Sequence, residues 1–134
     1  TDALKKYSDT TSVIFLEESL HGDKLKTARR LFTKKIITSL PDVIITSNDL
    51  IAQGIISAAH ENGINIPNDM QITGFDDSLS SAYFIPSVTT VSQNIDKLAK
   101  RCFSMLMDLI NKKSAVSSII EQNIIARNSA KINI

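Results

Sequence analysis

The chain holds 134 residues, 43% of them apolar, with a formal charge of +1. That bounds it to one core and leaves no charge excess for gripping nucleic acid or an anionic membrane. One cysteine, Cys102, excludes an internal disulfide framework, and the two histidines, His21 and His60, have no carboxylate or thiol at metal-ligand spacing. No apolar run approaches the roughly 18 residues of a membrane-spanning helix, and no charged-then-apolar leader is visible. The expectations are no membrane partner, no metal, no cofactor and a cytoplasmic location.

In chain order, "TDALKKYS" reads as the end of a helix, and "SVIFLEE" (Ser12–Glu18) as a buried strand of consecutive apolar and β-branched residues. From Asp23, the stretch "DKLKTARRLFTKKI" sets Leu25, Ala28, Leu31, Phe32 and Ile36 on one helical face. Its basic residues Lys24, Lys26, Arg29, Arg30, Lys34 and Lys35 fall on the other, as a solvated face. Pro41 and Asp42 punctuate the chain before "VIIT" (Val43–Thr46), a continuous apolar run of the kind found in parallel sheets covered on both faces. "SND" (Ser47–Asp49) then opens a helix carrying Ile51, Gly54, Ile55 and Ala58 at helical spacing, with Gly54 suggesting close packing against a neighbour. Asn62-Gly63 closes that helix.

"MQITGF" forms a further strand, followed by a polar loop, Pro86 and the extended run "SVTTVSQ". "NIDKLAKRCFSMLMDLIN" carries the strongest helical pattern, with Ile95, Leu98, Cys102, Met105, Leu106 and Leu109 in register, and "SSIIEQNIIARNS" is β-rich. The alternation of strands and helices predicts an α/β fold, a three-layer α/β/α Rossmann-like arrangement on a mostly parallel sheet with right-handed crossovers.

Ligands of open α/β sheets gather at the carboxyl ends of the strands. Polar clusters stand at those ends: Glu17–Ser19, Ser47–Asp49 and Asp76-Asp77. Carboxylates accept hydrogen bonds, and an Asn amide both donates and accepts, which suits a polyhydroxyl ligand such as a sugar. Each residue also has a plainer role, because Asn48 occupies a helix N-cap position and Asp76 a turn. No nucleophile elbow or phosphate-cradling glycine loop is present, and Asp76 and Asp77, being adjacent, diverge too much to work as a glycosidase pair. An enzyme is not expected.

These residues also resemble a known family. Pro41, Ile44, Asn48, Asp49, Ala52 and Gly54, then Gly63, Ile66, Pro67 and Asp69, then "GFDD" at Gly74–Asp77 stand in family order. Tyr83, Pro86, Thr89, Thr90, Val91 and Gln93 complete the pattern. The order and spacing resemble the effector-binding core of the lactose/galactose-repressor (LacI/GalR) family of bacterial transcription regulators, firmly from Pro41 to about Ile110.

The resemblance implies the C-terminal part of a two-lobed, periplasmic-binding-protein-like (type I) domain. In that frame residues 1–88 form the C-terminal lobe, about 89–93 the crossover between lobes, and about 94–134 a helix and strand shared with the other lobe. The helix-turn-helix head that reads operator DNA would lie outside this chain. The family commonly contacts its effector through the residues matching Asn48 and Asp76, with Asp77 organising the loop. The aromatic that often follows the strand matching "VIFLEES" is here replaced by Ser19 and Leu20, the candidates at that rim.

The resulting expectation is an effector-sensing and dimerising part of a LacI/GalR-type regulator, binding a sugar or sugar phosphate and acting as a homodimer. The helix Leu50–Asn62 and the "SSAYFIP" loop are the expected dimer face. An uptake sugar-binding protein of the same fold is the alternative.

Overall fold

A computed structural model of the chain describes residues 22–132. The strand expected at Ser12–Glu18, and the rim candidates Ser19 and Leu20, lie outside the described residues. Helix α1 (Lys24–Leu31) starts where Asp23 Oδ1 accepts the Lys26 N–H at 3.1 Å, and runs on into a wider π-type turn over Phe32–Ile36. Ala28, Leu31, Phe32 and Ile36 are buried, so the predicted apolar face is the one that packs.

Strand β1 (Val43–Ile45) leads into helix α2 (Asp49–Glu61), and β2 (Gln71–Thr73) follows. β1 and β2 pair in parallel with Ile44 opposite Ile72. Gly63, at φ +73°, ends α2 as the Asn62-Gly63 pair predicts, with its N–H bonded to the His60 carbonyl at 3.1 Å. Ile72 is fully buried, but Val43 and Ile45 of β1 are exposed. Among the described residues nothing covers the face of β1 that carries Val43 and Ile45.

The loop read after "GFDD" contains a short helix, α3 (Leu79–Tyr83), missed because five residues carry too little periodicity. Strand β3 (Thr90–Ser92), helix α4 (Ile95–Ile110) and strand β4 (Asn123–Ile125) complete the order. β3 pairs antiparallel with β4, and a parallel bridge between Thr73 and Thr89 joins it to β2. The Gly74 N–H to Thr89 carbonyl bond at 2.8 Å and the Asp76 N–H to Val91 carbonyl bond at 3.0 Å continue that ladder. Within the "β-rich" C-terminal run only Asn123–Ile125 is strand.

The core lies between α1, α2 and β2. Phe32, Ile55, Ile56, Met70, Ile72 and Val88 are its fully buried large side chains. Gly54 sits where α2 meets α1, because a Cβ there would stand 2.7 Å from the Leu25 carbonyl oxygen and 2.8 Å from the Ala28 Cβ. Neither neighbour is a flexible side-chain end. Gly54→Ala is expected to lower stability by about 1–3 kcal/mol through overpacking, although alanine is the better helix former by about 1 kcal/mol. A urea melt in which the variant gains stability would refute the close-packing role.

Ser129, fully buried, fastens the strands together. Its hydroxyl donates to the Ile72 carbonyl at 2.7 Å and accepts the Thr89 N–H at 2.8 Å, while its own carbonyl accepts the Ile72 N–H. Helix α4 contrasts with this core: none of its residues is buried, and Phe103, Leu106, Leu109 and Ile110 are all more than half exposed. Its tie to the following segment is polar, from the Arg101 guanidinium to the Val116 carbonyl at 2.6 Å and the Ser118 hydroxyl at 2.8 Å.

Candidate functional site

The carboxyl ends of β1 and β2 meet as the sequence predicts. The Asp49 N–H donates to the Phe75 carbonyl at 2.9 Å, and the Thr46 hydroxyl lies 2.9 Å from the carbonyl oxygens of both Asn48 and Thr73. Both strands thus deliver their polar termini to one rim.

At that rim the chain turns through two non-glycine residues with positive φ, Asp76 at +108° and Asp77 at +53°. Such conformations cost on the order of 1–3 kcal/mol each and persist where surrounding contacts hold them. The contacts here are specific. Asp76 Oδ1 accepts from Gln93 Nε2 at 2.6 Å, and among the described residues its second oxygen has no partner. Asp77 Oδ1 pairs with the Arg127 guanidinium at 2.6 Å, and the other arm of that guanidinium donates to the Val88 carbonyl at 2.9 Å. Asp77 therefore ties the turn to the body, and Asp76 keeps one carboxylate oxygen without a partner among the described residues.

A cavity of about 350 Å³ opens beside this turn, lined by Asp76, Asp77, Ser92, Asn94, Asp96 and Lys97 among others. It lies between the turn and the first residues of α4. Its lining offers acceptors at the aspartates and a donor at Lys97, with hydroxyl and amide groups that serve both ways. Among the described residues no group of His, Cys, Asp and Glu could hold a metal ion.

Asn48 has the plainer of its two roles in hand: its Oδ1 accepts the Ile51 N–H at 3.0 Å and caps α2. Neither Asn48 nor any other residue at the end of β1 is among those lining the cavity at Asp76. Its amide nitrogen has no partner among the described residues.

Sequence reasoning missed the most heavily used residue of the rim. Asp49 is 1% exposed, the only buried charged side chain among the described residues. Its Oδ1 accepts the Thr90 hydroxyl at 2.6 Å, and its Oδ2 accepts the Ser78 N–H and the Ser81 hydroxyl, both at 2.7 Å. Three donors replace the water that a buried carboxylate gives up. Gly74 makes room for it, because a Cβ at Gly74 would stand 2.1 Å from Asp49 Oδ1. The available signal was the joint presence of "ND" at one strand end and glycine at the next. Arg127 was missed too, since nothing near it in sequence points to Asp77.

The comparisons agree with this architecture. Residues 7–130 match the periplasmic binding protein-like domain. The HTH-type transcriptional repressor PurR of Pasteurella multocida is 35% identical over 95 residues, which is 69% of this chain and 28% of that protein. A periplasmic binding ribose operon repressor protein from Lactobacillus acidophilus superposes with a TM-score of 0.76 at 31% identity, over 87% of this chain and 44% of its own. A LacI-type transcription regulator from Bifidobacterium animalis gives 0.69 at 26% identity, over 81% of this chain and 39% of its own.

The parallel strands, the polar rim at their ends and the turn beside them fit the α/β architecture of a periplasmic binding protein-like domain. The chain belongs to the periplasmic binding protein-like domain family, in the form carried by LacI-type transcription regulators. It spans about a quarter of the length of the curated relatives it matches. Those relatives are named as transcriptional repressors, and among the described residues no helix is long and apolar enough to cross a membrane.

Proposed function

We propose that the chain is the effector-sensing and dimerising part of a LacI-type transcription regulator, with a sugar or sugar derivative held against the rim at Asp76. The observation that carries this reading is the unshared Asp76 oxygen beside a polar cavity at the carboxyl ends of parallel strands. A carboxylate so placed accepts from a ligand hydroxyl, and neighbouring Asn94 and Lys97 can donate. The nearby ribose operon repressor, at 31% identity, supports ribose as the first probe. The repressors among the relatives favour a regulator over an uptake protein.

In this reading residues 89–93 cross between lobes, and the bare apolar side of α4 packs against the other lobe in the complete protein. Operator DNA is reached through a helix-turn-helix head elsewhere in that protein. The dimer forms through Leu79, Tyr83 and Ile85, which are 80%, 79% and 87% exposed, together with half-exposed Leu50 of α2. Effector binding then shifts the balance between lobe arrangements in proportion to its differential affinity for them.

Calorimetric titration of the full-length protein with ribose and other pentoses and hexoses tests the site. Asp76→Ala is expected to weaken the bound sugar by about 10-fold or more, since a hydrogen bond to a charged group contributes roughly 1.5–3 kcal/mol. Unchanged affinity in that variant would remove Asp76 from the site. Sedimentation tests the interface: Tyr83→Asp is expected to shift the dimer toward monomer, and an unshifted profile would place the interface elsewhere.

A further inference from the structure

The proposed function does not use the Asp49 carboxylate, yet this buried side chain is hydrogen-bonded to Ser78, Ser81 and Thr90. Asp49 opens α2 through its backbone and holds two further segments, β3 and the start of α3, through its side chain. Its two oxygens do different work. Oδ1 takes the hydroxyl of Thr90, on β3, and that same hydroxyl oxygen accepts the Asp77 N–H at 3.3 Å. Oδ2 takes the Ser78 N–H and the Ser81 hydroxyl at the start of α3. We propose that Asp49 is a positioning residue that couples the turn at Asp76-Asp77 to the exposed apolar segment Leu79–Ile85.

The coupling rests on reading those two regions as effector rim and dimer face, but its geometry stands independently of that reading. Proton counting fixes the direction of each bond in the buried cluster. Ser81 has one hydroxyl proton and gives it to Asp49, so the Ser78 hydroxyl, 2.8 Å away, must donate to Ser81 Oγ. Gln53 Nε2 donates to the same oxygen at 3.2 Å. The Ser81 carbonyl in turn accepts the Val88 N–H at 2.8 Å, which locks α3 to the strand that enters the crossover.

Among the described residues no Lys or Arg is paired with Asp49, so these three donors and the N-terminal end of α2 offset its charge. Withdrawing one donor increases the demand on the other two, because bonds to a shared buried charge are not independent. A ligand that pulls on Asp76 works on a turn already held at positive φ. Its neighbour Asp77 hands that displacement to Thr90, Thr90 to Asp49, and Asp49 to Ser78 and Ser81.

Hydrogen exchange on the full-length protein tests this without requiring a known effector or a dimer. Asp76→Asn supplies the disturbance at the rim, and the amides of residues 78–84 supply the readout. With Thr90 present, Asp76→Asn is expected to change exchange across residues 78–84 by about fivefold or more, the size of a typical coupling between sites.

Thr90→Val keeps the side-chain shape and removes the hydroxyl, so in that background the same disturbance should change exchange by less than about twofold. Thr90→Ser restores the hydroxyl and should restore the response. An equal response with valine and with threonine would overturn the proposal, as would a serine variant that behaves like valine. Failure of sugar binding or of dimerisation in the preceding tests would leave this result unaffected, so the two readings fail separately.

Discussion

Replacing Asp49 by alanine is expected to lower the unfolding free energy by about 3 kcal/mol or more, read as a shift in the urea midpoint. The estimate comes from the donors that the carboxylate satisfies: the Ser78 N–H and the hydroxyls of Ser81 and Thr90. Ser81 is fully buried and Thr90 is 1% exposed, so water cannot readily replace the lost acceptor. Each buried group left unsatisfied costs roughly 1–3 kcal/mol, and rotation of the two hydroxyls recovers part of that. Asp49→Asn keeps the volume but exchanges one acceptor for a donor, so it should fall between wild type and alanine. An alanine variant within about 1 kcal/mol of wild type would mean that the cluster contributes little to stability.

Gly74→Ala carries the second large effect. The added Cβ would stand 2.1 Å from Asp49 Oδ1 and 3.1 Å from its Cγ, and the carboxylate is held on three sides and cannot swing away. Either the rim backbone or the cluster must move, at about 2–3 kcal/mol by analogy with overpacked cores. The two substitutions should then be strongly non-additive. With Asp49 already alanine, the clash with Oδ1 is gone, and Gly74→Ala should lose most of its effect. A remainder is expected from the 3.2 Å approach to the Asp49 Cα. Additive urea midpoints for the double variant would show that something other than the carboxylate excludes a side chain at Gly74.

Together these effects explain why the rim can hold strained residues. Asp76 and Asp77 sit at positive φ because the elements around them are fastened from several directions: Gln93 on Asp76, Arg127 and Thr90 on Asp77. A rim held this way keeps the free Asp76 oxygen in one place, and in the proposed site that would lower the ordering entropy left for a ligand to overcome.

Much of this fold was legible in the sequence because it depends on local spacing. The apolar face of α1, the Asn48 cap, the Asn62-Gly63 stop and the order of strands and helices are each set by residues within a turn or two of one another. The placing of "GFDD" at the end of a strand, where the chain turns, was legible too. The helical pattern of α4 was also correct, although spacing reports a helix whether or not anything covers its apolar side.

Tertiary structure alone decided which groups meet. Asp77 and Arg127 are 50 positions apart, Asp49 and Thr90 are 41, and Ser129 and Ile72 are 57. No periodicity reports a partner at such a distance, because it follows from strand register and from which layer covers which. For the same reason the sequence could mark Asn48-Asp49 as a helix start at the rim but not divide their labour. Asn48 caps the helix in partial contact with solvent, while Asp49 turns inward and becomes the buried joint. Asn48 is still extended while Asp49 is the first helical residue, so the two side chains leave the backbone in different directions, and the packed neighbours Gly74, Ser81 and Thr90 enclose the second.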